Sequence, residues 1–196
     1  MIIQGRKYEL KEVRNNIRTS FMAADTSGDW YVGALRYAIE ISDNVQDNKL
    51  CARINKTIGI IAAVSPKKAW ERNKILALQI IRGKRSGTFN FLIKKCELIL
   101  RSDGADAEII KILNGKKIVS FYRNIKQQSN VVTIDRHATA IALNLEQCNF
   151  TISNSVYDKL SDCYISVASE FNINPSLLQS ITWAQFRNKN KNNVPF

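Results

Sequence analysis

The stretch 115–138, GKKIVSFYRNIKQQSNVVTIDRHA, decides the fold prediction. Apolar side chains recur at helical spacing from Lys116 to Ile125, directly after a glycine that suits a positive φ in a turn. A polar loop and the β-branched residues Val131–Ile134 then lead to Asp135, which can cap a helix predicted to run to about Leu145. The stretch therefore predicts two helices, one starting with lysines and the other with a carboxylate.

The rest of the chain shows the same helical periodicity. A Ser65–Pro66 pair is predicted to cap and open a helix that ends before Gly83, because serine suits the N-cap and proline the first helical position. The segment Asp25–Asp29 is predicted as a break between helices. The other predicted helices are Tyr8–Phe21, Trp30–Ile41, Leu50–Val64, Phe89–Leu100, Ala107–Leu113, Ser155–Phe171 and Pro175–Arg187. The predicted fold class is all-α, a two-lobed bundle of about ten helices.

The chain is predicted to form a single domain over residues 1–196, because its length suits one domain with a proper core. One lobe is expected to span about 50–131 and to hold the central helices and the turn at Gly115. The second lobe is expected to combine 1–49 with 132–190. The tail 188–196 is polar and basic and is predicted to be mobile.

The charge of the chain favours a polyanionic partner. Its 29 Lys and Arg residues outnumber its 17 Asp and Glu residues and give a net charge of +12. Such an excess favours DNA or another nucleic acid first and an anionic membrane second. A basic surface kept only for solubility is the alternative.

Four cysteines far apart and one histidine form no ligand cluster, so neither a metal site nor a cofactor is expected. The N-terminal residues lack the apolar core of a signal peptide. No apolar run approaches the length of a membrane span, so no membrane partner is expected. The expected location is the cytoplasm.

Two helix starts carry groups that can do chemistry. At Asn114–Lys117, backbone N–H groups and two lysines can hold a phosphate, helped by the helix dipole. At Asp135, a carboxylate stands before a helix. A lysine amine and a carboxylate together suit attack at a sugar carbon, where the amine forms an imine and the carboxylate stabilises the cation or accepts a proton. A surface lysine and a simple helix cap are the alternative.

These residues resemble the helix–hairpin–helix DNA glycosylases, in which a hairpin of the type LPGVGxK is followed by a helix, a loop and a VDxH-type segment. Lys117 and Asp135 lie 18 positions apart, which matches the separation in that family, and Val132–His137 is similar to its Asp segment. Ala62–Trp70, AAVSPKKAW, is similar to the apolar helix and Ser-x-Gln turn that inserts a wedge residue into DNA. The resemblance covers about residues 58–145.

The resemblance implies a DNA-glycosylase-like fold with a helix–hairpin–helix element, and DNA N-glycosylase activity, with AP-lyase activity in bifunctional members, on a flipped base. Asp135 matches the essential carboxylate, and Lys67 takes the wedge position. Lys117 matches the Schiff-base nucleophile; because the hairpin here keeps one glycine instead of two, a role as a phosphate ligand stays open. The implied DNA-binding residues are Lys67, Lys68, Asn114, Gly115, Lys116 and Arg136, the last standing where the family has a small residue.

Three further side chains, Tyr122, Arg123 and His137, are candidates for the lining of a base pocket, where an aromatic ring would stack on the base. Phe121 is assigned to the core, while Tyr122 stays open between core and pocket. For His137, a capping or hydrogen-bonded core position is favoured, because one imidazole alone makes no metal site.

Nearly the whole chain also resembles a group of small phage proteins, through segments similar to SPKKAWERN, KKIVSFYRNI, VTIDRHA and LLQSITWAQFR. A phage origin would place the protein in the host-cell cytoplasm. Two other functions stay open. One is a non-catalytic nucleic-acid or host-protein binder on the same scaffold, and the other is an enzyme acting on free or hypermodified nucleotides.

Overall fold

The all-α prediction is confirmed. The computed structural model describes residues 1–24, 29–85, 87–128 and 130–192, and these form ten α-helices and one short antiparallel pair of strands. The elements are β1 (Ile2–Ile3), β2 (Arg6–Lys7), α1 (Leu10–Met22), α2 (Trp30–Ser42), α3 (Leu50–Val64), α4 (Trp70–Ile81), α5 (Asn90–Arg101), α6 (Asp106–Leu113), α7 (Lys116–Ile125), α8 (Arg136–Leu143), α9 (Asn154–Glu170) and α10 (Pro175–Asn192).

Two helix predictions are confirmed closely. The helix α7 spans Lys116–Ile125, as its apolar spacing predicted. The apolar end of α3, Gly59–Val64, is helical although its composition also suits a strand. Every residue from Lys56 to Val64 is buried, which is typical of a helix surrounded by other helices.

The prediction that Ser65 and Pro66 open a helix is wrong. Ser65 is the C-cap of α3, and the next helix, α4, begins at Trp70. Between them Lys67 adopts a left-handed conformation with φ of 57°, and the Lys68 N–H donates to the Ser65 carbonyl oxygen over 3.2 Å. A left-handed residue ends a right-handed helical path, so the local capping signal is overridden by a turn.

The chain divides into two compact units, each described here by itself. Unit 1 is Met1–Tyr31 with Gln127–Phe196, and unit 2 is Val32–Lys126. The predicted break at Asp25–Asp29 lies outside the described residues except for Asp29. The helix α10 continues to Asn192, into the segment predicted as a mobile tail, and residues 193–196 lie outside the described residues.

Unit 1 is built around α1, α8, α9 and α10, and α1 packs against the other three. Its core holds buried residues from these helices and from the segment before α8. They include Val13, Ile17, Val132, Ile134, Leu143, Leu160, Val167 and Leu178. The segment that leads to Asp135 is therefore anchored by its own apolar side chains.

Unit 2 is built around α3, which packs against α4, α5, α6 and α7. Gly59 allows a close approach of α3 to α6, because a Cβ at this position would lie 2.9 Å from Cγ2 of Ile109 on α6. Among the described residues, no helix combines the length and the apolar character that a bilayer crossing requires.

Candidate functional site

In unit 2, a two-residue turn joins α6 to α7. Asn114 has φ of 46° and Gly115 has φ of 103°, and both residues are exposed. Positive φ at two successive positions reverses the chain sharply, and glycine adopts it without a Cβ clash. The Asn114 N–H donates to the Ile110 carbonyl, which closes α6 just before the turn.

The turn is supported from behind by α5 and α7. The Lys95 ammonium on α5 donates to the Leu113 carbonyl, so the last turn of α6 has a cationic partner. The Asp106 carboxylate at the start of α6 accepts hydrogen bonds from Tyr122 on α7 and from Lys126, the C-cap of α7. These contacts tie the end of α6 to α5 and the start of α6 to the end of α7.

The start of α7 carries the two lysines of the predicted phosphate site. Lys116 and Lys117 are exposed, and Gly115, at the N-cap, has no side chain that could cap the first turn. The positive end of the helix dipole and the two ammonium groups therefore act in the same direction. This arrangement can hold a phosphate or a carboxylate from a partner.

The structure contradicts the prediction that Tyr122 could line a base pocket. Tyr122 is fully buried, and its hydroxyl donates to Asp106, so its ring cannot stack on a base. Burial raises the pKa of the Tyr122 phenol, and the hydrogen bond to Asp106 raises it further. Phe121, assigned to the core, is only half-buried, and Arg123 is half-buried as well. The helical turn places the tyrosine, not the phenylalanine, toward the centre of unit 2.

The turn between α3 and α4 holds the two other predicted DNA-binding lysines. Lys67 is exposed at the left-handed position, and Lys68 is half-buried with its ammonium 6.0 Å from the ring centroid of Phe89. At this distance a cation is attracted by the ring face. Both lysines belong to unit 2, as does the turn at Gly115.

In unit 1, Asp135 is the N-cap of α8, as predicted. Its Oδ1 accepts from the Ala138 N–H over 2.8 Å, and the Thr139 hydroxyl donates to its carbonyl oxygen over 2.8 Å. The side chain is half-buried, and Arg136 beside it is exposed. A carboxylate in this position satisfies an N–H group of the first turn and lies at the positive end of the helix dipole.

Two tyrosines of α9, which the sequence did not single out, hold the surroundings of Asp135. The Tyr157 hydroxyl accepts from the Ile134 N–H over 3.2 Å and donates to the Val132 carbonyl over 3.1 Å. The Tyr164 hydroxyl donates to the Ala138 carbonyl over 3.0 Å. Their spacing of seven residues places both on one face of α9, and this spacing is the sequence signal that could have indicated them.

An aromatic cluster lies beside the start of α8. The half-buried His137 ring lies 6.1 Å from the Trp183 ring and 5.7 Å from the Phe186 ring, both on α10. Trp183 also packs against Trp30 at 5.7 Å, and the Arg187 guanidinium lies 4.8 Å from the Trp183 ring centroid. His137 thus lies two positions after Asp135 and against aromatic rings.

The predicted site residues fall into two groups. Lys67, Lys68 and the segment Asn114–Lys117 belong to unit 2, whereas Asp135, Arg136 and His137 belong to unit 1. Within unit 1, the carboxylate and the aromatic cluster share the start of α8. Within unit 2, Lys67 and Lys68 lie in the turn before α4, and Lys116 and Lys117 lie in the first turn of α7.

The fold and the site define an all-α protein in which one helix start is basic and follows a glycine turn, and another is capped by a carboxylate. The chain belongs to the family of unknown function DUF7178, whose model matches residues 2–190. No curated protein and no solved structure matches the chain.

Proposed function

We propose that the protein is a DNA N-glycosylase that removes a flipped, damaged or modified base. In this proposal α6, the turn Asn114–Gly115 and α7 form a helix–hairpin–helix element that holds the DNA backbone through first-turn N–H groups and Lys116. The net charge of +12 supports a polyanionic partner. Extrusion of the base is required because the glycosidic bond cannot be reached inside the stacked duplex.

The observation that carries the proposal is the fixed position of Asp135. Its carboxylate is held by the Ala138 N–H, Tyr157 holds the segment before it, and Tyr164 holds the helix after it. A carboxylate that is already in place suits a reaction in which positive charge develops, because no reorganisation is needed. Cleavage of an N-glycosidic bond develops such charge at the sugar carbon C1′.

In the monofunctional form of the reaction, Asp135 stabilises the oxocarbenium-like centre and accepts a proton from the attacking water. The water oxygen forms the new bond to C1′, while the base leaves with the electron pair of the broken glycosidic bond and takes up a proton. In the bifunctional form, a lysine amine attacks in place of water, and opening of the sugar ring gives an imine. The resemblance to the glycosylase family assigns this amine to Lys117.

Borohydride trapping distinguishes these forms. Duplexes that carry uracil, an abasic site, an oxidised base or an alkylated base are incubated with the protein, and base release and reduced adduct are measured. We expect Asp135→Asn to slow base release and Lys117→Ala to remove any adduct. Lys7→Ala is the control, since it deletes an exposed lysine of β2. If none of the duplexes shows base release or a reduced adduct, the proposal is wrong.

A non-catalytic nucleic-acid binder is the second candidate, and the exposure of Asn114–Lys117 favours it. It predicts salt-sensitive binding of plain duplex that survives Asp135→Asn, because the contacts are to phosphates. Loss of all function in Asp135→Asn, with an unchanged circular dichroism spectrum and melting temperature, would count against this candidate.

A further inference from the structure

Two phenylalanines at the start of α5 are exposed and stacked on each other. Phe89 is 59% and Phe91 is 60% exposed, although they are among the largest apolar side chains of the protein. Their ring centroids lie 5.8 Å apart, and the ring planes meet at 17°. We call this pair the Phe89–Phe91 platform.

The platform is not needed for the core of unit 2. The next two residues, Leu92 and Ile93, are buried and supply the inward face of α5. Phe89 precedes the helix in an extended conformation, with ψ of 139°, and this lets its ring meet that of Phe91 although the two residues lie two positions apart. Exposed aromatic rings that do not serve a core are typical of a binding surface.

The surroundings of the platform are basic. The Lys68 ammonium lies 6.0 Å from the Phe89 ring centroid, and Arg72 lies close to Gly87, since a Cβ there would be 3.5 Å from its Nη2. Between Asn48 and Cys96 the only acidic residue is Glu71, which pairs with Lys74 at 2.8 Å. Arg53, Lys56 and Arg85 of that segment pair with Asp43, Asp47 and Glu97, which lie just outside it. Lys67, Lys84 and Lys94 are exposed.

We propose that the Phe89–Phe91 platform stacks on unpaired bases of single-stranded DNA, with Lys68 and its basic neighbours drawing the phosphates. A stacked ring pair can be continued by a base, and every base has a π-face, so such binding tolerates different sequences. Self-association through the platform is disfavoured because two copies would bring two basic surfaces together. The choice of DNA as the polymer rests on the proposed function.

Binding of two fluorescent oligomers tests the platform. The first is a 12-nucleotide thymidine tract, and the second is an abasic tract of the same length, which has the same phosphates and no bases. We expect the wild type to bind the thymidine tract more tightly. The double variant Phe89→Ala with Phe91→Ala should bind the thymidine tract about 5- to 100-fold more weakly. Its affinity for the abasic tract should equal that of the wild type.

Matched variants separate ring stacking from general apolar contact. Phe89→Leu with Phe91→Leu keeps apolar side chains at both positions and should lose the preference for the thymidine tract, as the alanine pair does. Ile39→Ala is the control, since it removes an exposed apolar side chain from α2. Full binding by the leucine pair would overturn the proposal in favour of an apolar docking surface.

Other outcomes would also overturn the proposal. Equal affinity of the wild type for both tracts would show phosphate binding alone, and tighter binding of a uridine RNA tract would assign the platform to RNA. Loss of self-association in the alanine pair, with unchanged binding of DNA, would assign it to a second copy of the chain. Binding of the two tracts is also measured with Asp135→Asn, which lacks the proposed catalytic carboxylate but keeps the platform. If the wild type releases no base but prefers the thymidine tract, only the glycosylase proposal fails.

Discussion

The starts of α7 and α8 differ in what precedes the first helical turn. Before α7 stands Gly115, which has no side chain, followed by two exposed lysines. Before α8 stands Asp135, whose carboxylate accepts from the Ala138 N–H. At the start of α7 the two lysines add positive charge to the positive end of the helix dipole. At the start of α8 the Asp135 carboxylate places a negative charge at that end.

This difference separates two tasks. A helix start without a side-chain cap can take an anion from a partner, and added lysines strengthen that attraction. A helix start with a built-in carboxylate has its anion already and presents it in a fixed orientation. The α7 start therefore suits binding of a phosphate, and the α8 start suits chemistry that needs a placed carboxylate.

The largest expected effect comes from replacing Asp135. An asparagine at this position can still cap α8, but it cannot act as a catalytic carboxylate. Asp135→Asn keeps an N-cap side chain, so stability should change little, while base release should fall about 100- to 10,000-fold. Asp135→Ala should lose base release to the same extent and in addition about 0.5–2 kcal/mol of stability. Single-turnover base release and urea unfolding measure the two effects.

If Asp135→Asn releases base at the wild-type rate, Asp135 is a cap only, and the two helix starts do not differ in the way described. If Asp135→Asn loses as much stability as Asp135→Ala, the separation of cap from chemistry fails instead. Both outcomes are readable from the same protein preparations.

The next largest effect is expected at Tyr157, on the α8 side of the comparison. Tyr157→Phe leaves the Ile134 N–H and the Val132 carbonyl without the hydroxyl, and both residues are buried. Each orphaned group costs about 1–3 kcal/mol, so a total loss of about 2–6 kcal/mol is expected in urea unfolding. Tyr164→Phe is the matched variant. It should cost only about 1 kcal/mol, since the Ala138 carbonyl can still accept within the helix.

Equal destabilisation by the two phenylalanine variants would contradict this account of Tyr157. A slower base release in Tyr157→Phe, at a temperature where the variant is folded, would in turn sharpen the comparison. It would show that the segment before α8 has to be held for Asp135 to act.

Local sequence signals predicted much of this arrangement and failed where distant partners decide. The apolar spacing of Lys116–Ile125 and the capping residue Asp135 are local, and α7 and the cap of α8 were predicted correctly. The hydrogen bond from Tyr157 to Val132 joins residues 25 positions apart. The spacing of Tyr157 and Tyr164 could indicate a shared face of α9, but no local pattern indicates the groups that they bind.

Two predictions failed for a related reason. Ser65 and Pro66 carry a good helix-start signal, but the left-handed turn at Lys67 follows, and α4 begins only at Trp70. Phe121 and Tyr122 are neighbours on one helix, about 100° apart, and the sequence favoured the core for Phe121 and left Tyr122 open. Asp106 on α6 gives the Tyr122 hydroxyl a partner and makes burial of the tyrosine possible.

On the α7 side, Gly115→Ala tests whether the turn depends on backbone conformation alone. A Cβ at Gly115 would have no atom within 4 Å, but φ of 103° is a conformation that alanine rarely adopts. We therefore expect a loss of about 1–3 kcal/mol in urea unfolding. Gly33→Ala is the control, because a Cβ at Gly33 also has no atom within 4 Å but Gly33 lies inside α2. Alanine there should raise the free energy of unfolding by about 0.5–1 kcal/mol.

A Gly115→Ala protein as stable as the wild type would show that the turn can relax to ordinary φ values. The start of α7 would then not be fixed by Gly115. A destabilised Gly33→Ala protein would show that the difference between the two glycines is not conformational.

The smallest expected effect is a change in the salt dependence of DNA binding, and it tests whether the α7 start binds phosphates. Lys116→Ala with Lys117→Ala should lower the slope of log K against log salt by about 2 for duplex DNA, since each phosphate contact contributes about 0.9. Lys7→Ala in unit 1 should leave the slope unchanged. Lys116→Arg with Lys117→Arg should keep it, because the charge remains. A full slope in the double alanine variant would mean that the exposed lysines of α7 do not contact phosphates, and the two helix starts would then differ only in their caps.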